Sequence, residues 1–139
     1  MLKKAKNYLK DMDMDKNPVI WGRNKRRYKV FFEAENGEIY TGFCIESASG
    51  VMALCAERVA CLNMYAQSGQ TVIKRMIAFR DNPPKENGGM PCGACREFLL
   101  QLSPKNKDIE ILTDYESRKT VILNDLIPNW WGWKRYENK

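Results

Sequence analysis

Cys55-Ala56-Glu57-Arg58 and Pro91-Cys92-Gly93-Ala94-Cys95-Arg96 are the two stretches of sequence around which this chain is organised. Each precedes an apolar run with helical spacing, which predicts that each cysteine group lies at the N-terminal end of a helix. Such an end offers unpaired N–H groups and the positive end of the helix dipole. That field favours thiolate over thiol, and thiolate is the form that binds metals.

The cysteine pattern predicts a zinc ion as cofactor, held by Cys55, Cys92 and Cys95. A Cys-x-x-Cys pair alone fits a redox dithiol or half of a structural zinc site, and both remain alternatives. A third cysteine on another helix favours a catalytic zinc, because structural sites usually fill all four coordination positions with protein. The chain has no histidine, which excludes Ser-His-Asp and Cys-His sites and any imidazole ligand.

Three charged residues adjoin these predicted ligands. Glu57 is two residues from Cys55, and at a helix end, where the metal lies off the tip, both side chains can reach one site. A carboxylate beside zinc-bound water can take the water's proton and pass it to a leaving amine. We expect Arg58 and Arg96 to offset the negative charge of three thiolates by hydrogen bonding to sulfur.

The bulk properties predict one soluble domain spanning residues 1–139, because 44% hydrophobic and 29% charged residues are typical of globular proteins. The charged start, residues 1–16, has no signal-peptide pattern, and no apolar run approaches the roughly 20 residues of a membrane span. We therefore expect a cytoplasmic protein with no membrane partner. Five cysteines without a secretion signal argue against a disulfide framework. The basic run at 23–27 fits either a phosphate contact or a solvated loop.

The remaining pattern predicts a hairpin followed by strands that alternate with helices. A type I′ turn at Asn36-Gly37 should join the first two strands. In one predicted helix the spaced apolar residues are Leu54, Val59, Leu62, Met64 and Tyr65. The predicted strands are 28–35, 38–45, 72–79, 109–113 and 120–123. The predicted helices are 2–12, 53–68 and 93–102, with a last short turn at 124–128. This order implies a mixed sheet with helices on its faces.

Cys-x-Glu followed about 35 residues later by Pro-Cys-x-x-Cys resembles the cytidine deaminase family, in its homotetrameric three-cysteine branch. The resemblance runs from about Tyr28 to Gly132. It includes the segments 37–42, 46–49 and 126–128 beside the two metal motifs. It implies an α/β fold built as a three-layer α/β/α sandwich with a mixed five-stranded sheet. It also implies a homotetramer with active sites shared between subunits.

The resemblance also implies roles for individual residues. Cys55, Cys92 and Cys95 fall on the zinc ligands. Glu57 falls on the proton shuttle, which in the family also contacts the ring nitrogen N3.

Four further positions are implied to bind substrate. The Ala56 backbone would contact the base and Glu46 a ribose hydroxyl. Trp131 would reach a neighbouring subunit's site and stack on the pyrimidine. Cys44 replaces the asparagine usual at the sugar contact, and a thiol is a weak hydrogen-bonding group. Blasticidin S deaminases share the zinc motifs and also vary at this asparagine. The cluster Trp130-Trp131-Gly132-Trp133 also fits burial at a tetramer contact.

Three function hypotheses follow. The first is hydrolytic deamination of cytidine and deoxycytidine to uridine and deoxyuridine plus ammonia. The second is the same chemistry on another aminopyrimidine nucleoside, such as blasticidin S or a modified or phosphorylated cytidine. The third is a non-enzymatic zinc or nucleic-acid-binding module, motivated by the net charge of +6 and the tryptophans. Nucleic acid is the least favoured partner, because the chain is small and has no long basic stripe.

Overall fold

The computed structural model describes residues 28–45, 53–80 and 82–137, which build one five-stranded sheet in the order β2-β1-β3-β4-β5. Within these residues β3 and β4 pair in parallel and the other neighbours are antiparallel, so the sheet is mixed, as predicted. The strands are β1 (Tyr28–Ala34), β2 (Ile39–Phe43), β3 (Ile73–Arg80), β4 (Glu110–Asp114) and β5 (Lys119–Ile122). The helices are α1 (Ala56–Ser68), α2 (Gly93–Leu102), α3 (Leu123–Leu126) and α4 (Trp133–Glu137).

The predicted elements correspond closely to these bounds. Helix α2 spans the predicted 93–102, and the strands shift by about one residue. Helix α1 begins three residues later than predicted, because Leu54 pairs with Ile45 in an isolated antiparallel bridge. The 3-10 helix at Pro104–Asp108 and helix α4 were not predicted. The predicted helix at 2–12 and the basic run at 23–27 lie outside the described residues.

The β1–β2 hairpin closes through a three-residue loop, so the predicted type I′ turn is wrong. The Gly37 N–H donates to the Ala34 carbonyl, and the Ala34 N–H donates to the Glu38 carbonyl, both at 2.9 Å. A type I′ turn needs a positive φ at both of its central residues, which were predicted to be Asn36 and Gly37. Gly37 has a φ of 85°, but the φ of Asn36 is not positive. The Asn36 side chain accepts a hydrogen bond from the Glu38 N–H at 3.0 Å instead. The loop is a type I turn followed by a left-handed glycine.

Helix α1 packs on the sheet mainly through small side chains. Of the spaced apolar residues in this helix, Met64 is fully buried, whereas Leu62 and Tyr65 are 56% and 60% exposed. Buried α1 residues are Ala56, Glu57, Ala60, Cys61 and Met64. The physical reason is a close approach to β2. A Cβ atom on Gly42 would lie 2.2 Å from the Ala56 carbonyl oxygen and 2.4 Å from the Ala60 nitrogen.

Both faces of the sheet carry buried side chains, as a three-layer arrangement requires. The main cluster joins the sheet to the helices and includes Val30, Phe32, Met64, Met76, Leu99 and Ile111. Alternate residues of the same strands point to the opposite face, because strand side chains have a period of two. The second cluster, on that face, consists of Phe31, Ile77, Phe79 and Leu112.

Asn106 fixes helix α2 to the start of β3. It is fully buried, and its side-chain oxygen accepts the Ile73 N–H at 2.9 Å. Its side-chain nitrogen donates to the carbonyls of Thr71 and Leu99, both at 2.9 Å. Because every polar atom of this amide is paired, the joint is stabilising despite its burial.

None of the helices in the described ranges is both long and apolar enough to cross a bilayer.

Substituting Gly42→Ala should destabilise the fold by about 1–3 kcal/mol, the usual cost of overpacking. The new methyl group would collide with the α1 backbone. Chemical denaturation measures this free energy of unfolding. Gly93→Ala is the matched control, because a Cβ there meets nothing within 4 Å. Equal stability of the two variants would contradict the close packing of α1 on β2.

Candidate active site

Helices α1 and α2 each have a cysteine as N-cap residue, so the predicted position of both cysteine groups at helix N-termini is confirmed. Cys55 is the N-cap of α1 with extended backbone (φ −70°, ψ 149°), and Cys92 is the N-cap of α2 (φ −67°, ψ 170°). Neither side chain caps its own helix, so both sulfurs are available to another partner. Cys95 lies in the first turn of α2 and is fully buried.

The sulfurs of Cys55, Cys92 and Cys95 all lie within 4.8 Å of one another and could hold a metal ion. The Sγ atoms of Cys55 and Cys92 are 3.7 Å apart. Two sulfurs bonded to one tetrahedral zinc at about 2.3 Å would lie about 3.8 Å apart. The spacing and the soft donor set therefore fit zinc.

Glu57 lies beside this cluster, although it follows Cys55 by only two residues. Its side chain is 3% exposed, and the Cys95 thiol donates to its Oε2 at 3.6 Å. Since Glu57 is the second residue of α1, the carboxylate reaches past the helix tip, as the sequence argument requires. The site thus brings together three thiols and one buried carboxylate.

The cysteine sulfurs differ in their environments. Burial raises the pKa of the Cys95 thiol, and the negative charge of Glu57 raises it further. Burial also opposes ionisation of Cys92, but hydrogen bonds to its sulfur, led by one from the Cys95 backbone, lower its pKa overall. A cation bound here would have to displace the Cys95 proton, because metals bind the thiolate.

The two arginines have different partners. Arg58 donates from Nη2 to the Cys55 sulfur at 3.4 Å, as predicted, and this hydrogen bond raises the pKa of the arginine. Arg96 instead donates to the carbonyls of Pro91 (2.8 Å) and Leu126 (3.0 Å), so its predicted bond to sulfur is wrong. The Arg96 guanidinium therefore connects the loop before Cys92 to the end of α3.

Two of the predicted substrate-binding positions lie near the site. Ala56 is fully buried in the first turn of α1. Cys44 is half-buried after β2 and adjoins Ile45, which exchanges backbone hydrogen bonds of 2.9 and 2.8 Å with Leu54. This bridge places Cys44 at the end of the sheet where α1 begins. Glu46 lies outside the described residues.

The tryptophan cluster is divided between core and surface. Trp130 is 5% exposed, so it is buried by its own chain, whereas Trp131 is 56% exposed. Both indole N–H groups donate to the Glu97 carboxylate. The described contacts of Trp131 include none with the three cysteines. Sequence reasoning missed Glu97, whose only signal is its position two residues after Cys95.

Comparisons with known proteins identify relatives of the chain. No protein-family model matches it. The cytidine deaminase of Mycoplasma genitalium is 31% identical over 100 residues, covering 72% of this chain and 73% of that protein. The blasticidin-S deaminase of Bacillus cereus is 27% identical over 127 residues, covering 86% and 87%. The crystal structure of cytidine deaminase from Mycobacterium leprae superposes with a TM-score of 0.64 at 25% identity, covering 77% and 82%.

A mixed sheet with three cysteines gathered at two helix starts beside a buried carboxylate defines an α/β enzyme of the deaminase class. At 31% identity over 72% of its length to an established member, the chain belongs to the cytidine deaminase family, a family of hydrolases.

Proposed function

We propose that this chain catalyses the hydrolytic deamination of cytidine and deoxycytidine, with zinc held by Cys55, Cys92 and Cys95. The observation that carries the proposal is the buried Glu57 carboxylate, 3.6 Å from the Cys95 sulfur and outside the thiol set. A carboxylate so placed suits proton transfer better than metal binding. The Mycoplasma genitalium relative, a cytidine deaminase, supports the substrate class.

Zinc bound to three thiolates would supply a Lewis acid that lowers the pKa of a water molecule toward neutrality. Arg58 would lower the electrostatic cost of gathering the thiolates, since its guanidinium already donates to Cys55. We assign Arg96 to positioning the loop that carries Cys92, through its bonds to two carbonyls.

Glu57 moves the protons in this mechanism. Its carboxylate takes a proton from the attacking water, whose oxygen adds to C4 of the pyrimidine, and passes that proton to N3. The carboxylate then takes the proton of the new C4 hydroxyl and donates it to the exocyclic amine, which leaves as ammonia while C4 becomes the carbonyl carbon of the product. Water is consumed and ammonia released, so the carboxylate returns to its starting state. Its burial supports this role, because few bulk waters can compete for the proton.

The substrate is bound at the end of the sheet where α1 begins. We assign base contacts to the Ala56 backbone and to N3 recognition by Glu57, and a ribose contact to Glu46. Cys44 weakens a second sugar contact, because a thiol is a poor hydrogen-bonding group.

A second candidate is deamination of another aminopyrimidine nucleoside, such as blasticidin S or a modified or phosphorylated cytidine. Two observations favour it. Cys44 replaces the usual asparagine, and the Bacillus cereus blasticidin-S deaminase aligns over 86% of the chain. The sugar-side contacts, rather than the deamination chemistry, would separate the two candidates.

We further propose a homotetramer of single-domain chains in which Trp131 stacks on the pyrimidine of a neighbouring subunit. Among the described residues, the exposed large apolar side chains are Leu62, Tyr65 and Trp131, at 56%, 60% and 56%. Leu62 and Tyr65 lie one turn apart on α1, and a second copy would cover them. The free thiols favour a reducing compartment, which supports a cytoplasmic location.

Purified protein should contain about one zinc per chain, and Cys92→Ala should lose nearly all of it, because two thiolates hold zinc far less tightly than three. Elemental analysis of protein prepared without chelator measures the ratio. Cys61→Ala is the thiol control, since Cys61 is buried in the α1 core. Full zinc in the Cys92 variant would contradict the ligand set.

Glu57→Gln should retain zinc and lose about 10³-fold in turnover, because an amide cannot accept the water's proton. Ammonia release from cytidine, deoxycytidine, their monophosphates and blasticidin S measures this and ranks the substrates. A zinc-loaded Gln variant with normal turnover would end the proposed role of Glu57. Steeply salt-dependent nucleic-acid binding without ammonia release would favour the binding-module hypothesis instead.

Mixing two impaired variants should restore activity if sites are shared, with the nucleoside supplied below the wild-type KM so that weak binding limits the Trp131→Ala variant. Glu57→Gln supplies an intact Trp131, and Trp131→Ala supplies an intact Glu57, so a hybrid contains complete sites. Refolding the two together should give activity above the sum of each refolded alone. The control replaces Trp131→Ala with the double variant Trp131→Ala/Glu57→Gln, which cannot complete any site. No gain in verified hybrids would show that Trp131 does not serve a neighbouring subunit.

A further inference from the structure

Glu97 holds two neighbouring tryptophans through one carboxylate. It lies on α2, two residues after Cys95. Its Oε2 accepts the Trp130 indole N–H and its Oε1 accepts the Trp131 indole N–H. Hydrogen bonds to an ionised acceptor are stronger than neutral ones, so both rings are oriented from the helix that carries two of the metal-motif cysteines.

The hydrogen bond between Glu97 and Trp130 is explained by packing, because it lies where the Trp130 ring is buried. The Trp130 ring meets Trp133 edge to face, with centroids 5.0 Å apart at 84°. Gly132 leaves space for it, because a Cβ there would lie 2.4 Å from the Trp130 ring. The Tyr136 hydroxyl also donates to the Leu100 carbonyl at 2.7 Å. The C-terminal segment is thus anchored to α2 without any need of Trp131.

The hydrogen bond between Glu97 and Trp131 is not explained by core packing, because Trp131 is not buried. Its side chain is 56% exposed, although its N–H is bound by Glu97. The Arg135 guanidinium lies 4.5 Å from the Trp131 ring centroid, a cation–π contact. An exposed indole is therefore restrained at its edge and over its ring, while much of its surface remains open to a ligand.

We infer that Glu97 is a positioning residue that holds the Trp131 ring in place to stack on the pyrimidine. This inference rests on the proposed function. A restrained side chain loses less conformational entropy when its ligand binds. An indole face also stacks well on any nucleobase. Glu97 would therefore strengthen substrate binding without touching substrate.

The test is steady-state kinetics of the zinc-loaded protein with its best nucleoside. Glu97→Ala should raise KM about three- to tenfold and leave kcat within about twofold, as expected for lost preorganisation. Trp131→Ala should raise KM about tenfold or more. Adding Glu97→Ala to Trp131→Ala should then have no further effect, because both act through one ring. Glu116→Ala, which removes an exposed carboxylate from the β4–β5 turn, is the charge control and should match wild type.

Glu97→Gln covers the case in which the alanine variant does not fold. Its amide oxygen can accept one indole N–H while its NH₂ cannot accept the other, so KM should rise to an intermediate value. Calorimetric binding of the product nucleoside should weaken in the same order as KM rises. Equal KM for wild type and both Glu97 variants would overturn the inference while leaving the deaminase proposal standing. A KM increase that persists in full in the Trp131→Ala background would also overturn it. Wild-type protein that releases no ammonia from any nucleoside would overturn both proposals.

Discussion

The convergence of two helix N-termini at one end of the sheet is the constraint on which the site depends. Helix α1 leads into β3 and runs back along the sheet, while α2 follows the end of β3, so both helices start at the same end. A cysteine stands at the N-cap of each. The free N–H groups there favour negatively charged sulfur. The same topology that orders the strands therefore gathers the thiols of Cys55, Cys92 and Cys95.

One close approach at a glycine and the side-chain hydrogen bonds of two polar residues hold the N-terminal ends of α1 and α2 in position. Gly42 allows the first turn of α1 to lie directly on β2, and any side chain there would meet the α1 backbone. Asn106 pairs the end of α2 with the segment that enters β3. Arg96 ties the loop before Cys92 to the end of α3. The geometry among the sulfurs is thus maintained by residues outside the cluster of three thiols and one carboxylate.

The site has an open side and a closed side. Cys92 is exposed, whereas Cys95 is fully buried and Glu57 is 3% exposed. The cysteine cluster is therefore open to solvent on the Cys92 side, while the Glu57 carboxylate stays away from bulk water. Trp131, whose indole N–H donates to Glu97 on α2, presents an exposed aromatic surface.

The sequence by itself determined the metal motifs, the position of both cysteine groups at helix N-termini, and the mixed sheet, because these depend on local spacing and periodicity. Tertiary structure decided which face of α1 is buried, since the closeness of β2 favours Ala60 over Leu62. It also decided the contact of Arg96 with Leu126 and the pairing of Glu97 with two indoles. Those contacts join residues about 30 or more positions apart, and local spacing carries no information about distances that the packing of separate elements sets.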